Sequence, residues 1–235
     1  MKAYGKLFGI GVGPGDPELL TFKAARIMKE ADVIFAAAST NNTYSLAVEI
    51  ATPYIRKNAN IIFLSFPMTK DESITHKAWD KNAKEIAGKL KQGLSAAFLT
   101  LGDPLTYSTF GYVLKSLKTV MPEAQIETIP GITSFHAASA RMNRTLVEAE
   151  ESLLITSGAY GGEHLRKVNG HVQNIVMMKA YKNVRDINNA LKDSGFSENS
   201  VAVKKCGRNG EEIIENIDIL ETRDPDYWTL ILAGK

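Results

Sequence analysis

The chain has 235 residues, with 28 Lys and Arg against 26 Asp and Glu and a formal net charge of +2. That balance argues against the concentrated basic stripe of a nucleic-acid binder. The single cysteine rules out an internal disulfide and a thiolate cluster, and no apolar run approaches the roughly 18 residues of a membrane span.

In chain order, apolar runs rich in β-branched and aromatic residues alternate with helical patterns. KLFGIGV (6–12) predicts a strand, and ELLTFKAARIMKEA (18–31) a helix with Leu20, Ala24, Ile27 and Ala31 on one face. Strand DVIFAA (32–37) is followed by helix SLAVEIATPYI (45–55), and strand NIIFLSF (60–66) by helix KAWDKNAKEIAGKLKQG (77–93). Strand SAAFLTL (95–101) precedes helix TFGYVLKSLK (109–118), and strand QIETI (125–129) precedes helix SFHAASARM (134–142). Such alternation predicts a parallel sheet covered on both faces by helices. Near residues 146–152 the pattern restarts with SLLITSG, NIVMMKAY, the helix VRDINNALKDSG and SVAVKKCG. EEIIENID and DYWTLILAG then follow with no helix between them, which predicts antiparallel pairing and a mixed second half. MKAYGKLFGIGVG lacks the apolar core of a leader peptide, so a cytoplasmic protein is expected.

Three Gly/Pro-rich loops follow strands in the first half, where open α/β sheets bind ligands. The first, GIGVGPGDPELLT (9–21), fails the G-x-G-x-x-G spacing, because the third glycine position falls on Pro14 or Asp16. It has no G-K-[ST] either. Asp16 and Pro17 read as a helix start, but Gly11, Gly13 and Gly15 together point to a loop that a ligand approaches. The second is TLGDPLTYST (100–109), where Ser108 or Thr106 could cap a helix; the third is IPGITS (129–134), where Thr133 and Ser134 could. Together the three suit a polar small ligand.

In this order and spacing, GVGPGDPELLT, LGDPLTYST and IPGITS resemble the tetrapyrrole methyltransferases, and the resemblance runs on through MMKAY (177–181) to WTLILAG (228–234). Within that family, YGKLFGIGVGPGDPELLTFKA, FAAAST (35–40), GDPLTYSTF and ETIPGITSF look like the precorrin-2 or cobalt-factor II C(20)-methyltransferase branch. Branch members often have a proline within the FAAAST segment, which is absent here. The resemblance implies an α/β fold of two domains, 1–132 with a parallel sheet and 133–235 mixed, with a cleft between them. It implies S-adenosylmethionine as methyl donor, a tetrapyrrole acceptor, a homodimer, and no nucleic-acid or membrane partner.

Carried over by motif, Pro14, Leu101, Gly102, Asp103, Thr133, Ser134, Met178, Ala202 and Thr229 are expected at the donor. Gly13, Arg141, Arg144 and Lys182 are expected at the acceptor, whose carboxylates suit Arg and Lys; Lys205 is a further candidate. Methyl transfer should be an in-line displacement governed by alignment, needing neither a covalent intermediate nor Cys206. Asp103 and Tyr107 are the catalytic candidates and His136 a less favoured one. Asp103 could equally fix its loop. The four histidines (76, 136, 164, 171) form no ligand motif, so no protein-bound metal is expected. The alternatives are another methyltransferase of this fold acting on a different ring carbon, on uroporphyrinogen or on a diphthine intermediate; a non-catalytic donor-binding protein; and a dinucleotide oxidoreductase, which the failed spacing disfavours.

Overall fold

The computed structural model describes residues 3–38, 44–69, 71–168 and 170–235. Ser39 and Thr40 of the FAAAST segment lie outside the described residues. The chain divides into two compact units, Met1–Thr133 and Ser134–Lys235.

The first unit is a five-stranded parallel sheet. Its strands are β1 (Lys6–Gly11), β2 (Val33–Ala38), β3 (Asn60–Ser65), β4 (Ala96–Thr100) and β5 (Gln125–Ile129), in the order β3-β2-β4-β1-β5. Parallel neighbours need long crossovers. These carry α1 (Phe22–Glu30), α2 (Leu46–Ala51), α3 (Glu72–Lys91) and α4 (Phe110–Val120). Central β4 shows why the sheet needs helices on both faces. Ala97 and Leu99 pack with Ile10, Ile27 and Ile50 on one side, while Ala96 and Phe98 pack with Ile86, Leu90 and Phe110 on the other. Burying a side chain such as Phe98 contributes about 1.5–3 kcal/mol.

Two helices start elsewhere than the periodicity predicts. Asp16 caps only a short 3-10 turn over Pro17–Leu19, and Thr21 then accepts from the Ala24 N–H and starts α1 afresh. α3 begins at Glu72 rather than 77, because the Asp71 carboxylate accepts from the Ser73 and Ile74 N–H groups.

The second unit opens with α5 (Ser134–Met142). β6 (Leu153–Ser157), α6 (Glu163–Val168), β7 (Asn174–Met178) and α7 (Val184–Asp193) follow, then β8 (Ser200–Lys204), β9 (Glu212–Ile214) and β10 (Thr229–Gly234). The strand order is β6-β7-β10-β8-β9. β6 and β7 are parallel, whereas β10 runs antiparallel to β7 and β8, and β9 antiparallel to β8. The sheet is mixed as expected, but β9 and β10 each pair with β8 and not with each other, and a 3-10 helix, Ile217–Glu221, lies between them. Ile175, Met177, Ile187, Leu191, Phe196 and Ile231 centre its core.

Candidate functional site

In the first unit, the loops after β1, β4 and β5 meet at their backbones. The Gly102 N–H donates to the Gly13 carbonyl at 2.7 Å, and the Gly13 N–H to the Gly102 carbonyl at 3.3 Å. A Cβ on Gly11 would lie 2.4 Å from the Gly102 oxygen, and one on Gly131 only 2.2 Å from it. No side chain fits at either position. Gly9 is a glycine for another reason: a Cβ there would meet the Phe110 ring at 2.1 Å. Gly13 and Gly102 themselves adopt φ of +80° and +66°, which L side chains rarely adopt. Thus the glycines of these loops have distinct tasks, and among them only Gly13 and Gly102 turn the backbone through left-handed space.

Asp103 locks this assembly. One carboxylate oxygen accepts from the Leu105 N–H at 2.8 Å and the Thr106 hydroxyl at 3.3 Å, and the other accepts from the Gly131 N–H at 3.2 Å. The loop after β4 is thereby tied to the loop after β5. Tyr107, about half exposed, holds φ +51°, a strained position of the kind that recurs at functional loops. Ser108 accepts from the Phe110 N–H at the start of α4. Of the residues singled out in the sequence, Gly13, Pro14, Leu101, Gly102, Asp103, Tyr107 and Thr133 therefore share one rim of the first unit. Pro14 and Thr133 are buried there.

The second unit has its own rim, where β7 and β8 end and β10 begins. Ser134 Oγ lies 3.7 Å from the sulfur of Met178, the last residue of β7. Lys179 and Lys205, directly after β7 and β8, both hold left-handed φ, +56° and +50°. The Thr229 carbonyl accepts from the Ala180 N–H at 2.9 Å. Ala202 is different: it lies within β8, registers with Ile231 and Ile214, and buries its methyl in the core. His136 is exposed on α5, with its ring 4.6 Å from that of Phe135.

Aromatic and cationic side chains cover this second rim. Tyr181, Tyr227 and Trp228 pack edge to face at 5.3 and 5.0 Å. Lys182 lies 5.2 Å from the Tyr181 ring centroid, Lys179 5.7 Å from that of Tyr227, and Arg208 5.1 Å from that of Trp228. Lys204 and Lys205 both reach Asp226, at 3.5 and 3.4 Å. Burial alone would raise the Asp226 carboxyl, but the Trp228 N–H and the Lys205 and Lys204 charges outweigh it and hold the group below its ordinary value. Arg141 is paired with Glu211 at 2.7 Å.

Arg144 does not join these residues. Its guanidinium donates to the Asn199 carbonyl at 2.8 Å and lies close to Gly234, so it sits where β8 begins and β10 ends. That is the opposite end of the sheet from Met178 and Thr229. Nearness to a motif along the chain does not tell which end of a strand a side chain serves.

Cys206 is buried, and burial together with the Glu211 charge pushes its thiol up to about 11. Both effects disfavour the thiolate, the nucleophilic form, at neutral pH. Among the described residues, no three His, Cys, Asp or Glu side chains cluster as a metal site, and no helix is long and apolar enough to cross a membrane.

Residues 6–218 match the family described as Tetrapyrrole (Corrin/Porphyrin) Methylases. The chain is 28% identical over 232 residues to a cobalt-precorrin-2 C(20)-methyltransferase of Salmonella typhimurium, covering 98% of this chain and 97% of that one. It is 37% identical over 192 residues to a probable cobalt-precorrin-2 C(20)-methyltransferase of Methanocaldococcus jannaschii, covering 82% and 79%. The fold matches that of a uroporphyrin-III C-methyl transferase from Thermus thermophilus, solved with S-adenyl homocysteine. That match has a TM-score of 0.70 at 21% identity and covers 98% of both chains.

Proposed function

The chain belongs to the tetrapyrrole (corrin/porphyrin) methylases, and on that premise we propose that it transfers a methyl group from S-adenosylmethionine to carbon 20 of precorrin-2 or its cobalt form, in cobalamin biosynthesis. Relatives named for the carbon-20 reaction, one bacterial and one archaeal, align with most of the chain. The structural observation that carries the reading is the meeting of three strand-end loops at Gly11, Gly102 and Gly131, locked by Asp103.

The donor fits that rim. A Cβ on Gly102 would meet nothing nearer than 3.9 Å, so the backbone there stays open to a ligand. When bound, the donor supplies an electrophilic methyl on a sulfonium. The chain's task is alignment and exclusion of water, and orientation alone can supply roughly 7–11 kcal/mol. Leu101 and Asp103 offer backbone groups to its methionine part, beside Pro14 and Thr133, whereas Gly102, whose N–H and carbonyl pair with Gly13, offers an open α-carbon. Ser134, Met178, Ala202 and Thr229 of the second unit are donor candidates by motif alone, Ala202 with its methyl buried in the core. Asp103 acts as a positioning residue, since both its oxygens already hold the loops. Tyr107 remains the candidate to accept the acceptor's proton. Gly13 and Lys182 remain acceptor candidates; Arg141 would first have to leave Glu211.

The same reading makes the protein a cytoplasmic homodimer, with exposed Phe22 and Met68 among the apolar side chains available for self-association. Light scattering on the purified chain tests the dimer.

The deciding experiment is single-turnover transfer from labelled S-adenosylmethionine under anaerobic conditions, with precorrin-2 and the cobalt form in parallel and the new methyl located by NMR. Label at carbon 20 of the cobalt form places the enzyme on the anaerobic route, and transfer only to the metal-free ring places it on the aerobic one. Label at another ring carbon moves it to a different family reaction. No transfer while the donor binds means a donor-binding protein.

A further inference from the structure

Among the described residues, no carboxylate pairs with Arg208. It lies in the loop between β8 and β9, where its N–H donates to the Lys205 carbonyl at 3.0 Å. Its guanidinium lies over the Trp228 ring, 5.1 Å from the centroid. One terminal nitrogen, Nη1, is buried and has no hydrogen-bond partner among the described residues. Two acidic side chains of this rim, Glu211 and Asp226, are engaged elsewhere. Glu211 accepts from Arg141 with one oxygen and from the Gly207 N–H with the other. Asp226 holds Lys204, Lys205 and the Trp228 N–H. A buried, unpartnered nitrogen on a guanidinium is costly, and such groups are rare in folded proteins. Any acceptor meets that nitrogen, but the positive charge of the partly exposed guanidinium favours an anionic one, and a carboxylate matches the guanidinium fork in a bidentate pair.

The surroundings narrow the ligand. Tyr181, Tyr227 and Trp228 offer aromatic surface, with Lys182 and Lys179 beside them. This set suits a flat, conjugated molecule with several carboxylates better than a zwitterion carrying one. We infer that Arg208 is a substrate-binding residue that receives a carboxylate of the tetrapyrrole acceptor, with the macrocycle packed near Trp228. The inference rests on the methyltransferase reading for the identity of the acceptor.

The test uses the full chain and two stable probes: uroporphyrin III, an octacarboxylate macrocycle, followed by tryptophan fluorescence, and S-adenosylhomocysteine, followed by calorimetry. Losing a hydrogen bond to a charged group should raise the uroporphyrin dissociation constant about 10- to 100-fold in Arg208→Met. Arg208→Lys, which keeps the charge without the fork, should lose less. S-adenosylhomocysteine affinity should hold in both, which also shows that the variants fold. Weakened S-adenosylhomocysteine with unchanged uroporphyrin would assign the carboxylate to the donor and overturn the inference. Unchanged affinity for both would overturn it as well. Wild type that binds S-adenosylhomocysteine but no octacarboxylate would bring down the acceptor reading itself, a result distinct from a wild type that binds and variants that match it.

Discussion

Thr100 ends β4 opposite Gly11, is 5% exposed, and its hydroxyl has no hydrogen-bond partner. An unmet buried hydroxyl costs about 1–3 kcal/mol, whereas an apolar group of the same shape costs little. Thr100→Val should therefore stabilise the chain by about 1 kcal/mol, which for this size raises Tm by about 2–4 °C. Calorimetry checks it, and a lower Tm would mean the hydroxyl has a partner in solution. Asp103 is the opposite case, with each oxygen already used. In Asp103→Asn the amide oxygen can still accept from Leu105 and Thr106, but the NH₂ then faces the Gly131 N–H, donor against donor. The loops should part there, and donor affinity should fall about tenfold, the value of one or two kcal/mol. The shape of the pH–rate profile should stay as it is. If an ionisation limb vanishes and kcat collapses, Asp103 is a base and not a positioning residue.

At the scale of elements, β5 is an edge strand of the parallel sheet, and Glu127 ties it to Lys6 of β1 and to Lys23 of α1. Hydrogen bonds from Lys23 and Lys6 lower the Glu127 carboxyl to about 2. Because the folded value lies below the unfolded one of about 4.3, this tie stabilises fully above that unfolded value and fades as pH falls toward 2. Glu127→Gln should have the lower Tm at pH 7, and its gap from wild type should close between pH 4.5 and 2. A gap independent of pH would show that the side chain acts by packing alone. The sequence makes this sheet legible because strands buried on both faces leave apolar runs, as AAFLT of β4 does; QIETI and SFHAASARM, less apolar, still coincide with β5 and α5 residue for residue. α6 escapes notice because its six residues bury only Leu165, too little for a period. The joint before α1 is hidden because Leu20, Ala24 and Ile27 continue one apolar face across the break that Thr21 makes. The loops of the site announce themselves by Gly and Pro. Arg208 does not, since one arginine in a polar loop reads as a surface charge until its neighbours' partners are known.

Over the whole molecule, cations and anions nearly cancel, 28 against 26. Pairing goes further: Lys204 and Lys205 meet Asp226, Arg166 meets Asp186, Lys192 meets Asp218 and Arg223 meets Glu212. A molecule so balanced projects little field beyond a Debye length, so a polyanionic acceptor is not drawn in from afar. Its recognition must come after encounter, from contacts such as the one inferred for Arg208. Electrostatic steering shows itself as an association rate that falls steeply with salt, whereas contacts at hydrogen-bond distance chiefly set the dissociation rate. Raising NaCl from about 0.1 M to about 1 M shortens the Debye length from about 10 to about 3 Å. Stopped-flow binding of uroporphyrin III should then show an association rate that changes less than about threefold, well short of the steep loss that marks steered partners. Arg208→Met should act on the dissociation rate, and the two effects should separate cleanly in one data set. A steep salt dependence of association would mean that the cations of the second unit's rim act together as a field, and acceptor capture would then begin at long range despite the small net charge.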